Sequence, residues 1–386
     1  DTSPFAIAAQ PDESQQVDVL NMFDDSHAGG GTGTLAQTGL TGFGMAGPLT
    51  FSSTNFGEPA SVLGGISFGG IRFNGTAFVT DPNLTTLEVV NLMLGTGDDS
   101  VTITGSATPG VDLSTNVAAL HGGLTVVQGG AGNDRVTVTG GGGPGAPLVV
   151  YGDTSQDGSW YAGSSLALSF AGFGSKPFTG IIGSSDTFRF PLANAFAAAG
   201  NDTIDARGLF AGSLPTVGLV AYGGGGNDTI YGSQTADYLA GGSGNDTIAG
   251  ERGIDQIYGD SGVNVNVITR ELTIPTANAS ANPDADGLVA GLDTLTGDGV
   301  DSAAGPATAF GDVIFGDHGR VDQDIASAVV GPNGYVRPVQ LEKFQTTTRI
   351  LTIATEQPQN GAADTIFGNA GVDRILGGNG GDTITG

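Results

Sequence analysis

The chain has no cysteine in 386 residues. No disulfide holds it together, and thiol chemistry is excluded. Lysine is almost missing: Lys176 and Lys343 are the only two, and there are 12 basic residues in all against 39 acidic ones. A net charge of −27 argues against nucleic acid or an anionic membrane as a partner, because both would repel the chain. No apolar run reaches the roughly 18 residues of a membrane span. The opening "DTSPFAIAAQ" has neither the basic start nor the apolar core of a secretory signal. Trp160 is the single tryptophan and the basic residues are scattered, so nothing suggests a base-stacking site. His27, His121 and His318 lie far apart, and none forms the H-E-x-x-H pattern of a zinc protease.

Glycine is what the chain has in excess. It fills 69 positions, about 18% against a usual level of about 7%. There is no G-X-Y period, so the chain is not collagen-like. Apolar residues make up 38%, too many for plain disorder. The acidic excess implies either strong self-repulsion or bound cations, and the placement of the acids decides between them.

From residue 223 the chain reads GGGGNDTIY, GSQTADYLA, GGSGNDTIA, GERGIDQIY, GDSGVNVNV. These are five nine-residue units without a gap. Asp228, Asp237, Asp246, Asp255 and Asn264 recur every nine residues, and Ile230, Leu239, Ile248 and Ile257 follow two places after the aspartates. The pattern returns with Asp364, Asp373 and Asp382, followed by Ile366, Ile375 and Ile384. A fixed short period signals a solenoid. A flexible Gly/Asp linker would have no reason to keep an apolar residue two places after each aspartate.

Each unit has a glycine-rich half that can turn through positive φ, at Gly224, Gly226, Gly242, Gly244, Gly253, Gly371, Gly378 and Gly380. A three-residue strand with one inward apolar side chain follows. Bare carbonyls beside one carboxylate offer only oxygen, which suits Ca²⁺. Two units per coil would stack Asp228 on Asp246 and Asp237 on Asp255 about 4.8 Å apart. Carboxylates at that spacing repel unless a cation lies between them. Isoleucine would fill a thin core.

These units resemble the repeats-in-toxin (RTX) nonapeptide, G-G-x-G-x-D-x-U-x. The resemblance is close over 223–267 and 359–386. It implies an all-β parallel roll with Ca²⁺ in the turns of both edges. Single units at "GTGDDSVTI", "GGAGNDRVTV" and "AAGNDTIDA" add Asp99, Asp134 and Asp202, and "GDVIFGDHG" adds Asp312. Ala236 and Ala362 replace a turn glycine and Asn264 replaces aspartate, so weaker or absent ions are expected there.

Four stretches follow. Residues 1–190 carry strand-like runs such as "LEVVNLML" and "LTVVQGG" around isolated RTX-like turns. They read as an irregular parallel β-helix continuous with the roll, with a separate sandwich as the alternative. Residues 191–267 are the regular roll. Residues 268–358 interrupt it as a β-rich insertion, a hairpin or small sheet packed on the roll. Residues 359–386 continue it. The chain stops inside a repeat at Gly386, which marks it as a fragment or processed product.

Other sites are weaker. In "NPDADGLVAGLD", Asn282, Asp284, Asp286, Gly287 and Asp293 fit positions 1, 3, 5, 6 and 12 of a calcium loop, without flanking helices. A solvated acidic turn is the competing reading. Asp153, Ser155 and Asp157 fit only the first half of such a loop, and Ser164 is a poor twelfth ligand. "GISFG" at Ser67 matches a nucleophile elbow formally but no helix follows. The N-D-T sequons at Asn201, Asn227 and Asn245 fall inside the turns. The reading that results is a non-catalytic, extracellular, bacterial calcium-binding protein with a structural or adhesive role: part of a surface layer, fibre or adhesin. Such a segment would associate with copies of itself or with neighbouring repeat domains. The alternative is the calcium-folded carrier region of a secreted enzyme.

Overall fold

A three-residue strand buries one side chain, so it is stable only when stacked between like strands. The computed structural model describes residues 19–24, 29–47, 49–51, 60–62, 64–73, 78–85, 87–108, 123–143, 146–154, 199–210, 218–266, 271–273, 289–299, 311–324 and 346–386, and all their regular structure is strand. The chain winds as a parallel roll, each coil giving one strand to each of two sheets. Sheet one runs, in spatial order, through Val19–Phe23, Val89–Met93, Leu124–Gln128, Leu148–Tyr151, Leu219–Gly225, Tyr238–Ser243, Gln256–Tyr258, Val313–Phe315 and Arg374–Leu376. Sheet two runs through Thr32–Ala36, Ser100–Thr104, Arg135–Gly140, Thr203–Asp205, Thr229–Tyr231, Thr247–Glu251, Thr294–Asp298, Thr365–Phe367 and Thr383–Thr385. Antiparallel Gly39–Gly42 and Ile66–Ser67 extend sheet two beyond Thr32–Ala36. Ser67, the formal nucleophile, therefore sits on a short edge strand.

Register follows the apolar residue of each unit. Ile230, Ile248, Leu295, Ile366 and Ile384 pair in line across sheet two. Ala221, Leu239, Ile257, Ile314 and Ile375 do so across sheet one. The two files interlock between the sheets, and most of their members are fully buried. Each buried isoleucine or leucine contributes about 1.5–3 kcal/mol.

The sheets differ on their outer faces. Sheet-two strands alternate, as in "TIY" and "TIF", with only the middle residue buried. Sheet-one strands are apolar at both parities, and VVNLM, LTVVQ, LVVY, QIY and VIF are buried throughout. A strand covered on both faces reads as a continuous apolar run. Val126, Val149, Tyr151, Val220, Tyr222, Tyr258 and Phe315 form this second core. The Tyr258 and Phe315 rings stack with centroids 5.1 Å apart. Val263, Val265, Val321, Ile350 and Ile353, all from segments outside the coils, pack on it. The thin single core expected from the repeat is thus corrected to two apolar layers flanking sheet one. We expect Tyr258→Ala to cost about 3–5 kcal/mol, as for other buried aromatics, measured by urea unfolding in calcium. A cost near zero would show that the outer layer is dispensable.

The stretch 268–358 is not one insertion. Thr294–Asp298 and Val313–Phe315 within it are coil strands of sheets two and one. The chain instead leaves the roll at several turns and returns each time. Two excursions carry antiparallel hairpins, Asn264–Asn266 with Glu271–Thr273 and Gly319–Gln323 with Ile350–Thr355. Nine strands of residues 19–151 lie in the same two sheets as the regular repeats, while Leu49–Phe51 with Ala60–Val62 and Gly69–Phe73 with Phe78–Thr85 form separate antiparallel pairs, so the β-helix reading describes the coils of this stretch and the sandwich does not.

Candidate metal centre

Numbering each nonapeptide from one to nine puts a glycine first, the aspartate sixth and the core residue eighth. All eight glycines singled out above have φ between +96° and +154°. They occupy positions two and four, where the chain reverses. At position two, Glu251 and Asn369 also adopt positive φ, 72° and 68°. The first glycine serves a different end. A Cβ on Gly223 would lie 2.2 Å from Asp228 Oδ2 and 2.6 Å from the Gly241 carbonyl oxygen; one on Gly241 would lie 2.2 Å from Asp246 Oδ2 and 2.5 Å from the Gly259 oxygen. Position one is therefore a hollow ringed by a carboxylate oxygen and a carbonyl of the next coil.

The sixth residues stack into two rows. Along one edge, the backbone N–H of each aspartate donates to Oδ1 of the next in the order Asp99, Asp134, Asp202, Asp228, Asp246, Asp293, Asp364, Asp382, at 2.7–3.2 Å. Along the other edge the order is Asp237, Asp255, Asp312, Asp373, at 2.8–3.0 Å. The stacking of Asp228 on Asp246, Asp237 on Asp255 and Asp364 on Asp382 is present. A second file of exposed side chains runs alongside the first row in the opposite sense: N–H groups of Asn133, Asn201, Asn227 and Asn245 donate to Oδ1 of Asp98, Asn133, Asn201 and Asn227. That file, at position five, uses the sequon asparagines.

In the rows Oδ1 is occupied by an N–H, while Oδ2 of Asp134, Asp202, Asp228, Asp255, Asp293, Asp312 and Asp364 is buried with no hydrogen-bond partner. Burial pushes the carboxyls of Asp228 and Asp364 up to about 7 and those of Asp134, Asp293 and Asp312 to about 8. Asp202 rises to about 10, through burial and then the charges of Asp153 and Asp228. A buried unpaired carboxylate is costly, so each Oδ2 demands a proton or a cation. Asp237, at the end of its row, is an exception. Its two oxygens accept the N–H groups of Leu219 and Ser233 and the Ser233 hydroxyl.

Three expectations change. Asn264 does not stack beside Asp246; it lies in an excursion hairpin, and Asp293 takes that place. Asp293 is a row member rather than the end of a calcium loop. Asp284 and Asp286, with Asn282 and Gly287, lie outside the described residues, as do His27, His121, Ser155, Asp157 and Ser164. Ala236 stands at position five, with Thr235 at four. Sequence reasoning gave no role in the turns to Asp260, Asp298 and Asp317, although each follows a position-one glycine.

Among the described residues no three acidic or histidine side chains gather round one point. Each turn offers one carboxylate oxygen and backbone carbonyls. Such a donor set fits a hard cation that takes oxygen ligands, as Ca²⁺ does. The position-six aspartates and the carbonyls around position one would hold it, and it would neutralise the rows. No curated protein and no solved structure matches the chain. Residues 220–248, 240–265 and 360–386 match the RTX calcium-binding nonapeptide repeat. The coils outside those segments continue the same sheets and the same aspartate row. Over the matched segments, the chain is built of RTX calcium-binding nonapeptide repeats.

Proposed function

We propose that the chain is an extracellular, calcium-stabilised solenoid of a bacterial surface protein, with a structural or adhesive rather than catalytic role in a surface layer, fibre or adhesin. The observation that carries this reading is the alignment of buried, same-sign Oδ2 atoms along both edges. Such rows are unstable at cytosolic calcium and stable at the millimolar calcium found outside cells, which couples folding to export. The acids are spent on stacking coils, which suits a rod or spacer.

Row membership sets the expected effects of mutation. Asp246→Asn removes charge between two stacked neighbours and should raise the calcium concentration at the folding midpoint at least tenfold, about 1.4 kcal/mol. Asn264→Ala should leave it unchanged. Calcium titration followed by circular dichroism reads both, and equal effects would count against the row.

Self-association belongs to the same proposal. With a net charge of −27, acidic faces repel at low calcium and are bridged by ions at high calcium, whether the partner is a second copy or a neighbouring repeat domain. Light scattering across a calcium series should show mass rising with calcium. A monomer at millimolar calcium and high protein concentration would leave only a spacer or carrier role.

A further inference from the structure

Four interrupted turns place aspartate at position two, Gly152-Asp153, Gly259-Asp260, Gly297-Asp298 and Gly316-Asp317; the turns after Ser100–Thr104 and Thr203–Asp205 are lengthened as well, and the second of these carries Arg207 there. Uninterrupted turns of the regular repeats carry Gly224, Ser233, Gly242, Glu251, Asn369 or Gly378 there. None of the four aspartates has positive φ, unlike Gly224, Gly242, Glu251, Asn369 and Gly378. The aspartate carboxylates close the neck of the excursion. Oδ1 of Asp153, Asp260 and Asp317 accepts the N–H of the returning residue, Gly200, Gly291 and Ala362, at 3.3, 2.9 and 2.8 Å. Oδ2 of Asp153, Asp298 and Asp317 accepts the N–H at position three of the next coil, from Gly225, Ala370 and Asn379, at 2.8, 2.8 and 2.6 Å.

Asp260 lacks that second donor, for a topological reason. The coil stacked on it is interrupted too, so position three there has been replaced by the excursion after Asp317. Asp260 is 0% exposed, and its Oδ2 has no hydrogen-bond partner. The residue stacked beside it in the next coil is Asp317, 2% exposed: Tyr258 pairs with Phe315, and a Cβ on Gly259 would lie 1.7 Å from the Gly316 carbonyl oxygen, which sets the two aspartates side by side. Two ionised carboxylates cannot donate to each other, and Asp293 of the row adds a third negative charge nearby.

We propose that Asp260 and Asp317 hold a divalent cation, Ca²⁺, at the junction of these two interrupted turns, in addition to the ions of the aspartate rows. The inference rests on the calcium reading of the rows. Two carboxylates balance one divalent charge, and the remaining ligands are carbonyls and water. The site exists because two excursions leave from adjacent coils; a single interrupted turn satisfies its aspartate with N–H groups and needs no ion.

The test is anomalous diffraction from the full chain crystallised in calcium and soaked with Tb³⁺, together with a count of bound calcium by mass spectrometry on the purified chain. A Tb³⁺ peak is expected between Asp260 and Asp317, besides peaks along the rows. Asp260→Asn, which keeps an Oδ1 acceptor for Gly291, should bind one calcium fewer than the unaltered chain. Peaks along the rows with none at Asp260–Asp317, or an unchanged count in both Asp260→Asn and Asp317→Asn, would overturn this site and leave the rows standing. No peaks anywhere would overturn both. The diffraction measurement uses the unaltered chain, so it decides even if a variant does not fold.

Discussion

With calcium chelated at neutral pH, the β signal in circular dichroism should collapse, and millimolar calcium should restore it. The rows of buried aspartates drive this result. Each ion bound only by the folded chain adds about 2.7 kcal/mol when free calcium is 100 times its dissociation constant, and several ions together exceed the usual net stability of about 5–15 kcal/mol. The pH dependence should invert with the ion. Without calcium, row carboxyls in the folded chain are pushed up to about 7–10, while unfolded aspartate titrates near about 3.9. The folded state then binds more protons than the unfolded one. Their contribution to stability is complete below about pH 4 and is lost as pH rises through the folded values. With calcium bound, the carboxylates are ionised and protons compete with the metal, so stability should rise from acid to neutral pH. Urea midpoints across pH 4–9, in chelator and in calcium, check this. Parallel slopes in the two series would show that the rows do not bind the ion.

Gly244→Ala should be nearly as damaging as chelation. Gly244 has φ +129°, and a Cβ there would lie 1.5 Å from the Gly226 carbonyl oxygen of the coil beneath. The strained φ alone costs on the order of 1–3 kcal/mol, and the carbonyl must also move away from the hollow it borders. A loss above about 4 kcal/mol is expected, with weaker calcium binding at the adjoining turns. Gly381→Ala is the control: nothing lies within 4 Å of its would-be Cβ, and its φ is not left-handed. It should stay within about 0.5 kcal/mol of the parent. Calcium-saturated thermal unfolding compares the two, and similar melting temperatures would mean that the coils are not stacked as closely as described.

Periodicity made the roll legible because its chemistry is local. Asp228, Ile230 and the glycines between coils stand at fixed offsets, so their stacking partners can be counted off in steps of eighteen. Counting fails where a partner is reached through an excursion. Asp246 bonds to Asp293, 47 residues on, and nothing in the spacing links them. Asn264 was misplaced for the same reason, since "GDSGVNVNV" keeps the nine-residue step although the chain has already left at Asp260. The physical signal was present at position two, where Asp153, Asp260, Asp298 and Asp317 stand without positive φ, whereas Glu251 in an uninterrupted turn adopts it. The second core could also have been read. Sheet-one strands such as "LVVY" and "VIF" have no polar parity, unlike "TIY" or "TIT", and an apolar run on both faces requires a cover on both. What covers sheet one comes from segments without period, and so has no signature in the repeat.

The closed necks bear on how much the excursions can vary in length. At Asp153, Asp260 and Asp317 the departing and returning strands are tied by one hydrogen bond to the carboxylate, so the coil beneath registers only that the ends are together. The entropy of closing a flexible loop grows slowly, by about 0.6 kcal/mol per doubling of its length. Cargo of very different size can therefore be grafted at a Gly-Asp step while the stack above and below keeps its register. The stacked coils and their aspartate rows set the pitch, and each Gly-Asp step is a place where an excursion can lengthen or shorten without disturbing it.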